Sequence, residues 1–231
     1  MQRFEVLPLQ RECRMRLGIF GGSFDPVHLG HLWIGEAAME TLQLDRLAWI
    51  PTATQPLKPS GAAEDAQHRL AMLQLAVSGR EGFVVDPREI QRDGVSYSVD
   101  TVGEIKQEHP EAELFLIIGS DSLATMPQWH RPADLLSMVT LAVVQRPTDQ
   151  TASDQAATDQ TGQAALDFSV LDGLVSPERR AAFEAAVIAM PQIELSSSGI
   201  RQRVAAGQSI RYQVPAAVQM YLQTHHLYVQ E

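Results

Sequence analysis

The sequence predicts an α/β fold: a doubly wound, mostly parallel sheet with a small helical C-terminal part. Three observations carry that reading. Short apolar runs at residues 15–20, 46–50, 82–86, 114–118 and 139–144 have the length and composition of buried strands. Stretches with apolar residues at helical spacing separate several of them, and such alternation builds a parallel sheet covered by helices. The first run passes through Gly21-Gly22 directly into a helical pattern, which makes residues 21–31 a strand-to-helix crossover. A chain of 231 residues with 45% hydrophobic and 20% charged residues has ample material for one core, and residues 15–231 read as a single domain.

Taken in order, residues 1–14 read as an N-terminal extension, because QRECR has no clear period and Met15-Arg-Leu-Gly-Ile-Phe20 makes a natural first strand. GGSFDPVHLGH follows at 21–31, and then Leu32, Ile34, Ala37, Ala38 and Leu42 recur at helical spacing. Asp25-Pro26 reads as the turn and helix entry, since proline is tolerated where the first helical amides lack partners anyway. Residues 46–50 form strand two, with the proline-rich loop 51–60, PTATQPLKPS, at its carboxyl end. Residues 68–77 suit a helix, 82–86 a short strand, and 88–94 an irregular charged segment. A helix capped by Ser98 or Asp100 runs to His109-Pro110. The wholly apolar run 114–118 predicts a central parallel strand, and 139–144 a fifth. From Thr148 to Gly162 the chain repeats Asp-Gln at Asp149, Asp154 and Asp159 without an aromatic residue, the composition of a solvated insertion. Residues 177–189 predict an alanine-rich helix and 193–195 a last strand. Residues 196–231 form the helical C-terminal part, with one helix starting at Ser196-Ser-Ser198 and a final one over 214–222.

Candidate chemistry gathers at the crossover. Gly21 and Gly22 lack a Cβ, so a phosphate can approach the main chain there. His28 and His31, three apart, share one face of a helix start, where free N–H groups and the positive end of the helix dipole collect. That combination suits a polyphosphate. The serine run offers a second helix start: its hydroxyls cap the first turn, its spare N–H groups meet an anion, and Arg201 shares the face of Ser198. Lys58 is the one cation of loop 51–60 and a candidate phosphate contact, because ligands of open α/β sheets bind beyond the carboxyl ends of strands. Gly119-Ser-Asp121 follows the central strand, and an ionised aspartate there can accept ribose hydroxyls. Trp129 lies in a loop beyond that strand.

Other functions lack their residues. The formal charge of −10 argues against general nucleic-acid binding. No apolar run reaches the roughly 18 residues of a membrane span, and no signal-peptide pattern opens the chain. One cysteine, Cys13, rules out an internal disulfide and suits a reducing cytoplasm. GGSFDP is neither G-x-G-x-x-G nor a P-loop. Metal binding by His28 and His31 would need a third ligand; His68, His109, His130, His225 and His226 fall in no ligand pattern, so no metal ligands are assigned. The sequence leaves a homo-oligomer open.

GGSFDPVHLGH resembles the signature of the HxGH (HIGH) nucleotidyltransferases, with HxGH as His28-Leu-Gly-His31. SYSVDT, FLIIGSDS, PQWHRP, VVQRP and LSSSGIRQRV extend the resemblance across most of the chain, toward bacterial nicotinate-mononucleotide adenylyltransferases. The resemblance implies a Rossmann-like nucleotidyltransferase fold and transfer of AMP from ATP to nicotinate mononucleotide in NAD synthesis, with Mg2+ carried on the ATP phosphates. It implies catalytic roles for His28 and His31, and ATP contacts from Gly21, Gly22, Ser23, Phe24, Gly119, Asp121, Ser197, Ser198 and Arg201. Acceptor contacts would come from Lys58, Ser98, Trp129, His130 and Arg146. The chain departs from the family pattern in three places. Gln55-Pro-Leu-Lys58 stands where PPH and a basic residue are usual, a third serine replaces threonine in the serine run, and the insertion from Thr148 is long. Phosphopantetheine or nicotinamide nucleotide acceptors, a dinucleotide oxidoreductase and a silent nucleotide-binding regulator remain as alternatives.

Overall fold

A computed structural model describes residues 14–53, 62–92, 95–145, 166–191 and 193–229. Among the described residues six strands form one sheet: β1 (Arg16–Gly22), β2 (Arg46–Pro51), β3 (Phe83–Val85), β4 (Glu113–Gly119), β5 (Thr140–Gln145) and β6 (Ile188–Ala189). Every pairing is parallel, in the order β3-β2-β1-β4-β5-β6. Register places Phe20 beside Trp49 on β2 and beside Ile117 on β4. The helices are α1 (Leu29–Thr41), α2 (Ala66–Val77), α3 (Arg88–Gln91), α4 (Ser98–Glu108), α5 (Ser120–Thr125), α6 (Pro132–Met138), α7 (Pro177–Glu184), α8 (Ser197–Ala205) and α9 (Ala216–Thr224).

Strand period explains why the runs are apolar throughout. Successive side chains point to opposite faces, and both faces are covered. Leu17 and Ile19 enter one core with Leu114, Leu116, Val99 and Leu135, while Phe20 enters the other with Trp49, Ile34, Met72 and Val218. From β1 the chain winds outward through β2 and β3, then crosses back to β4 on the other side. The β1–β4 boundary is therefore the topological switch point, and its crevice opens at the carboxyl ends of the strands. Among the described residues no helix is long and apolar enough to cross a membrane.

Several expectations from sequence shift. The predicted helix over 177–189 stops at Glu184, and Ile188–Ala189 become the edge strand β6; residues 193–195 are not a strand. Ile188 is fully buried, so packing on β5 outweighs the helix-favouring alanines before it. Arg88–Gln91, expected to be irregular, forms the short helix α3. Gly21 and Gly22 close strand β1 rather than forming the turn, and α1 begins only at Leu29, three residues beyond Pro26. Helix α4 takes Tyr97 as N-cap, so neither Ser98 nor Asp100 caps it. Residues 1–13, the insertion at 148–162, Lys58 and Arg146 lie outside the described residues.

Candidate active site

The segment after β1 is built around its two histidines. His28 is the N-cap of α1, and His31 sits at the third helical position. The His31 Nδ1 accepts a hydrogen bond from the His28 backbone N–H at 3.2 Å, and the two rings stack with centroids 3.7 Å apart. An Nδ1 that accepts carries no hydrogen, so the proton of the neutral His31 ring resides on Nε2, the nitrogen that can donate to a ligand. Gly30 between them has a steric reason. A Cβ there would stand 3.0 Å from the His28 Cε1 and Nδ1, so any larger residue displaces that ring.

The glycines divide their work. A Cβ on Gly21 would meet nothing within 4 Å, leaving its backbone open, whereas one on Gly22 would press on the Phe24 ring at 3.1 Å. Phe24 is 1% exposed and packs edge-on against Phe20 and His31. Its ring belongs to the core, so Phe24 has only backbone to offer a nucleotide. Ser23 is half-buried, and its carbonyl accepts from Arg69 Nη1 at 2.8 Å.

The second helix start docks on the same turn. Ser196 caps α8 by accepting from the Gly199 N–H at 3.1 Å. Ser197 Oγ donates to the Pro26 carbonyl at 2.9 Å, and Arg201 Nη1 donates to the Asp25 carbonyl at 2.7 Å. Ser198 Oγ lies 3.3 Å from Ser196 Oγ. Two helix N-termini more than 160 residues apart in sequence thus share one turn, and their dipoles add at it.

Asp25 is the hub that sequence reading treated only as a turn residue. It is 3% exposed; its Oδ2 accepts from the Ala63 N–H at 2.6 Å and its Oδ1 from the Tyr228 hydroxyl at 2.7 Å, with Arg201 Nη1 3.5 Å from Oδ2. Burial and the bond to Asp25 push the Tyr228 phenol far above its ordinary range, so it stays a donor. Arg69, 2% exposed, was also missed. Burial lowers its pKa from the usual value, while the Asp25 charge opposes the shift. The signal for Arg69 was present in its spacing, because it shares a helical face with Met72 and Leu73.

Around the crevice, Gly119 ends β4 and Asp121 stands exposed in the first turn of α5. Trp129 is half-buried, with Nε1 3.5 Å from Thr125 Oγ1. The His130 ring lies 4.3 Å from that of Tyr97, which places His130 beside the start of α4 and Ser98. Tyr97 puts no side chain on the first amides of α4, and the buried Ser96 hydroxyl has no partner among the described residues. Beneath them Thr101 Oγ1 donates to Glu89 Oε1 at 2.7 Å, and Arg92 joins Thr101 to Glu104. Among the described residues no group of three or more His, Cys, Asp or Glu is placed to hold a metal ion.

Residues 19–203 match the family model described as cytidylyltransferase-like. The chain is 42% identical over 212 residues to a probable nicotinate-nucleotide adenylyltransferase of Rhodopirellula baltica, covering 92% of each chain. It is 44% identical over 217 residues to a protein of the same description from Gemmatimonas aurantiaca, covering 93% of this chain and 92% of the other. Among solved structures, the Plasmodium falciparum nicotinic acid mononucleotide adenylyltransferase complexed with NaAD has the same fold, with a TM-score of 0.66 at 16% identity over 93% of this chain and 98% of that one. The strand-to-helix histidine turn, the parallel sheet and these likenesses together make this chain a member of the cytidylyltransferase-like family, in its nicotinate-nucleotide adenylyltransferase branch.

Proposed function

We propose that this chain transfers AMP from ATP to the 5′-phosphate of nicotinate mononucleotide, giving nicotinate adenine dinucleotide and pyrophosphate in NAD biosynthesis. The observation that carries the mechanism is the docking of α8 on the histidine turn through Ser197 and Arg201. It gives one anionic ligand two sets of donors.

An acceptor phosphate oxygen is already ionised, so it attacks the α-phosphorus without a strong base. A new P–O bond forms there as the bond to the β-phosphate breaks, and pyrophosphate leaves with the electron pair. Positioning and stabilisation of negative charge supply the catalysis. His31 donates from Nε2 to α-phosphate oxygens, with His28 stacked behind it and supplying a further donor. Gly21, Gly22, Ser23 and the Phe24 backbone line the α-phosphate, while the Ser197 main-chain N–H, Ser198 and Arg201 take the β- and γ-phosphates, the Ser197 hydroxyl being spent on Pro26. Arg201 has committed Nη1 to Asp25, which leaves its other N–H groups for that task. Gly119 permits close approach and Asp121 accepts ribose hydroxyls. Magnesium fits as an ion carried on the ATP phosphates: the described residues hold no carboxylate cluster, Asp25 is already engaged, and Mg2+ keeps water and phosphate ligands readily. When bound, it neutralises phosphate charge. The single cysteine suits a cytoplasmic enzyme.

For the acceptor, Trp129 stacks on the pyridine ring, with Lys58 and Arg146 as phosphate contacts. The uncapped first amides of α4 at Ser98, with His130 beside them, face the ring substituent. A carboxylate accepts from those donors, whereas the NH₂ of an amide meets them as a second donor and leaves a buried group unpaired, at a cost of about 1–3 kcal/mol. Pyrophosphate release from ATP with a panel of mononucleotides tests the reading. Nicotinate mononucleotide should exceed its nicotinamide analogue by roughly tenfold to a hundredfold in kcat/KM. Trp129→Ala should weaken both while keeping their ratio, and equal efficiencies in the unmodified protein would remove the nicotinate assignment.

A further inference from the structure

We propose that Tyr228 is a positioning residue for adenylyl transfer, its hydroxyl fixing the Asp25 carboxylate that braces the histidine turn. The proposal rests on the adenylyl-transfer reading above and goes beyond it, because Tyr228 lies 203 residues from Asp25 and touches no substrate in that mechanism.

Asp25 receives donors from three separate segments. Its Oδ2 is held by the Ala63 N–H and faced by Arg201, but among the described residues Tyr228 is the sole donor to Oδ1. With the carboxylate 3% exposed, loss of that hydroxyl leaves a charged oxygen without water to replace it. The carboxylate then turns toward Arg201, the cation that stands 3.5 Å from its Oδ2. That guanidinium is the same group that holds the Asp25 carbonyl and anchors α8 to the turn. A change at Oδ1 is thereby transmitted to both helix starts.

The chain end is shaped for this contact. His226 and Tyr228 take φ values of 52° and 61°, a left-handed conformation that non-glycine residues adopt at a cost, while Leu227 between them is buried in the core. Leu227 N–H also bonds back to the Leu222 carbonyl at 3.1 Å, anchoring the bend to the end of α9. The bend therefore delivers the tyrosine ring to the turn and does not fray into solvent.

Tyr228→Phe keeps the ring and removes only the hydroxyl. We expect kcat to fall by about tenfold or more with the KM for ATP within about threefold, the pattern of a contact realised in the transition state. Asp25→Asn should also lower kcat, and the double variant should lose no more than the worse single one, since both act through one contact. A lower melting temperature with unchanged kcat, or losses that multiply in the double variant, would overturn the proposal. Amide hydrogen exchange at His28 and Leu29, measured with a non-hydrolysable ATP analogue, serves as the readout that needs no acceptor. Tyr228→Phe should exchange faster there, and equal rates would overturn the latch whatever the acceptor. Failure of the unmodified protein to form nicotinate adenine dinucleotide would instead strike the adenylyl-transfer reading, leaving the exchange result to decide the role of Tyr228.

Discussion

Replacing His31 separates its cap in the fold from the donor role proposed for it in the chemistry. Its Nδ1 accepts from the His28 N–H at 3.2 Å, while the mechanism requires Nε2 to donate to the α-phosphate. His31→Ala removes both. The lost capping interaction costs about 0.5–2 kcal/mol of stability. For a chain of this size each kcal/mol lowers Tm by about 2–4 °C. The lost donor faces charge that grows in the transition state, so turnover should fall by about 10²–10³-fold, or about 2.7–4 kcal/mol. ATP affinity should change much less. His31→Asn is the sharper variant, because its amide oxygen lies near the position of Nδ1 and keeps the cap without reaching the phosphate. It should recover most of the Tm while remaining as slow as alanine. Thermal melting run beside pyrophosphate release at saturating substrates measures both quantities. A His31→Asn protein that turns over at the wild-type rate would refute the donor role of Nε2, and one as unstable as His31→Ala would refute the cap.

Glu89 gives a pH-dependent outcome. Burial raises its pKa above the ordinary 4.5, outweighing the opposing bond from Thr101 and the charge of Arg92. The folded state then holds a proton that the unfolded state releases, so this contribution is full below pH 4.5 and is lost as pH rises through the folded-state value. Glu89→Gln keeps an acceptor for Thr101 without the buried charge; it should raise Tm at pH 8 and match wild type below pH 4.5, as thermal melts across pH would show. Two glycine-to-alanine changes should differ in sign. A Cβ on Gly35 would stand 2.5 Å from the Trp49 ring, so Gly35→Ala should lose about 1–3 kcal/mol to overpacking. One on Gly103 in α4 would meet nothing within 4 Å, and Gly103→Ala should gain about 0.5–1 kcal/mol from helix propensity, both read by denaturant unfolding.

Local chemistry made much of this protein legible in its sequence. Apolar runs of strand length between helical periods identify β1, β2, β4 and β5, because a strand buried on both faces cannot tolerate polar residues. His28 and His31 stand out in the sequence by their three-residue spacing, but their rings stack because His28, an extended N-cap, donates its N–H to His31 at the third helical position. The serine run stands out too, as a cap needs only its own first turn. Other features were decided by partners remote in sequence. Ile188–Ala189 become a strand because β5 offers an open edge to pair with, which no helix propensity can report. Asp25 looks like a turn residue until Ala63, Arg201 and Tyr228 converge on its carboxylate. Arg69 stands unremarked in the helical stretch 68–77 and Glu89 in a charged segment, and only the fold withdraws them from water and supplies the carbonyl and hydroxyl that make their burial tolerable. Sequence alone indicated that helices start after β1, at α4 and at the serine run, though not the first residue of each. The tertiary structure decided that two of them meet at one turn, because the hydrogen bonds that join them cross from Pro26 to Ser197 and from Asp25 to Arg201.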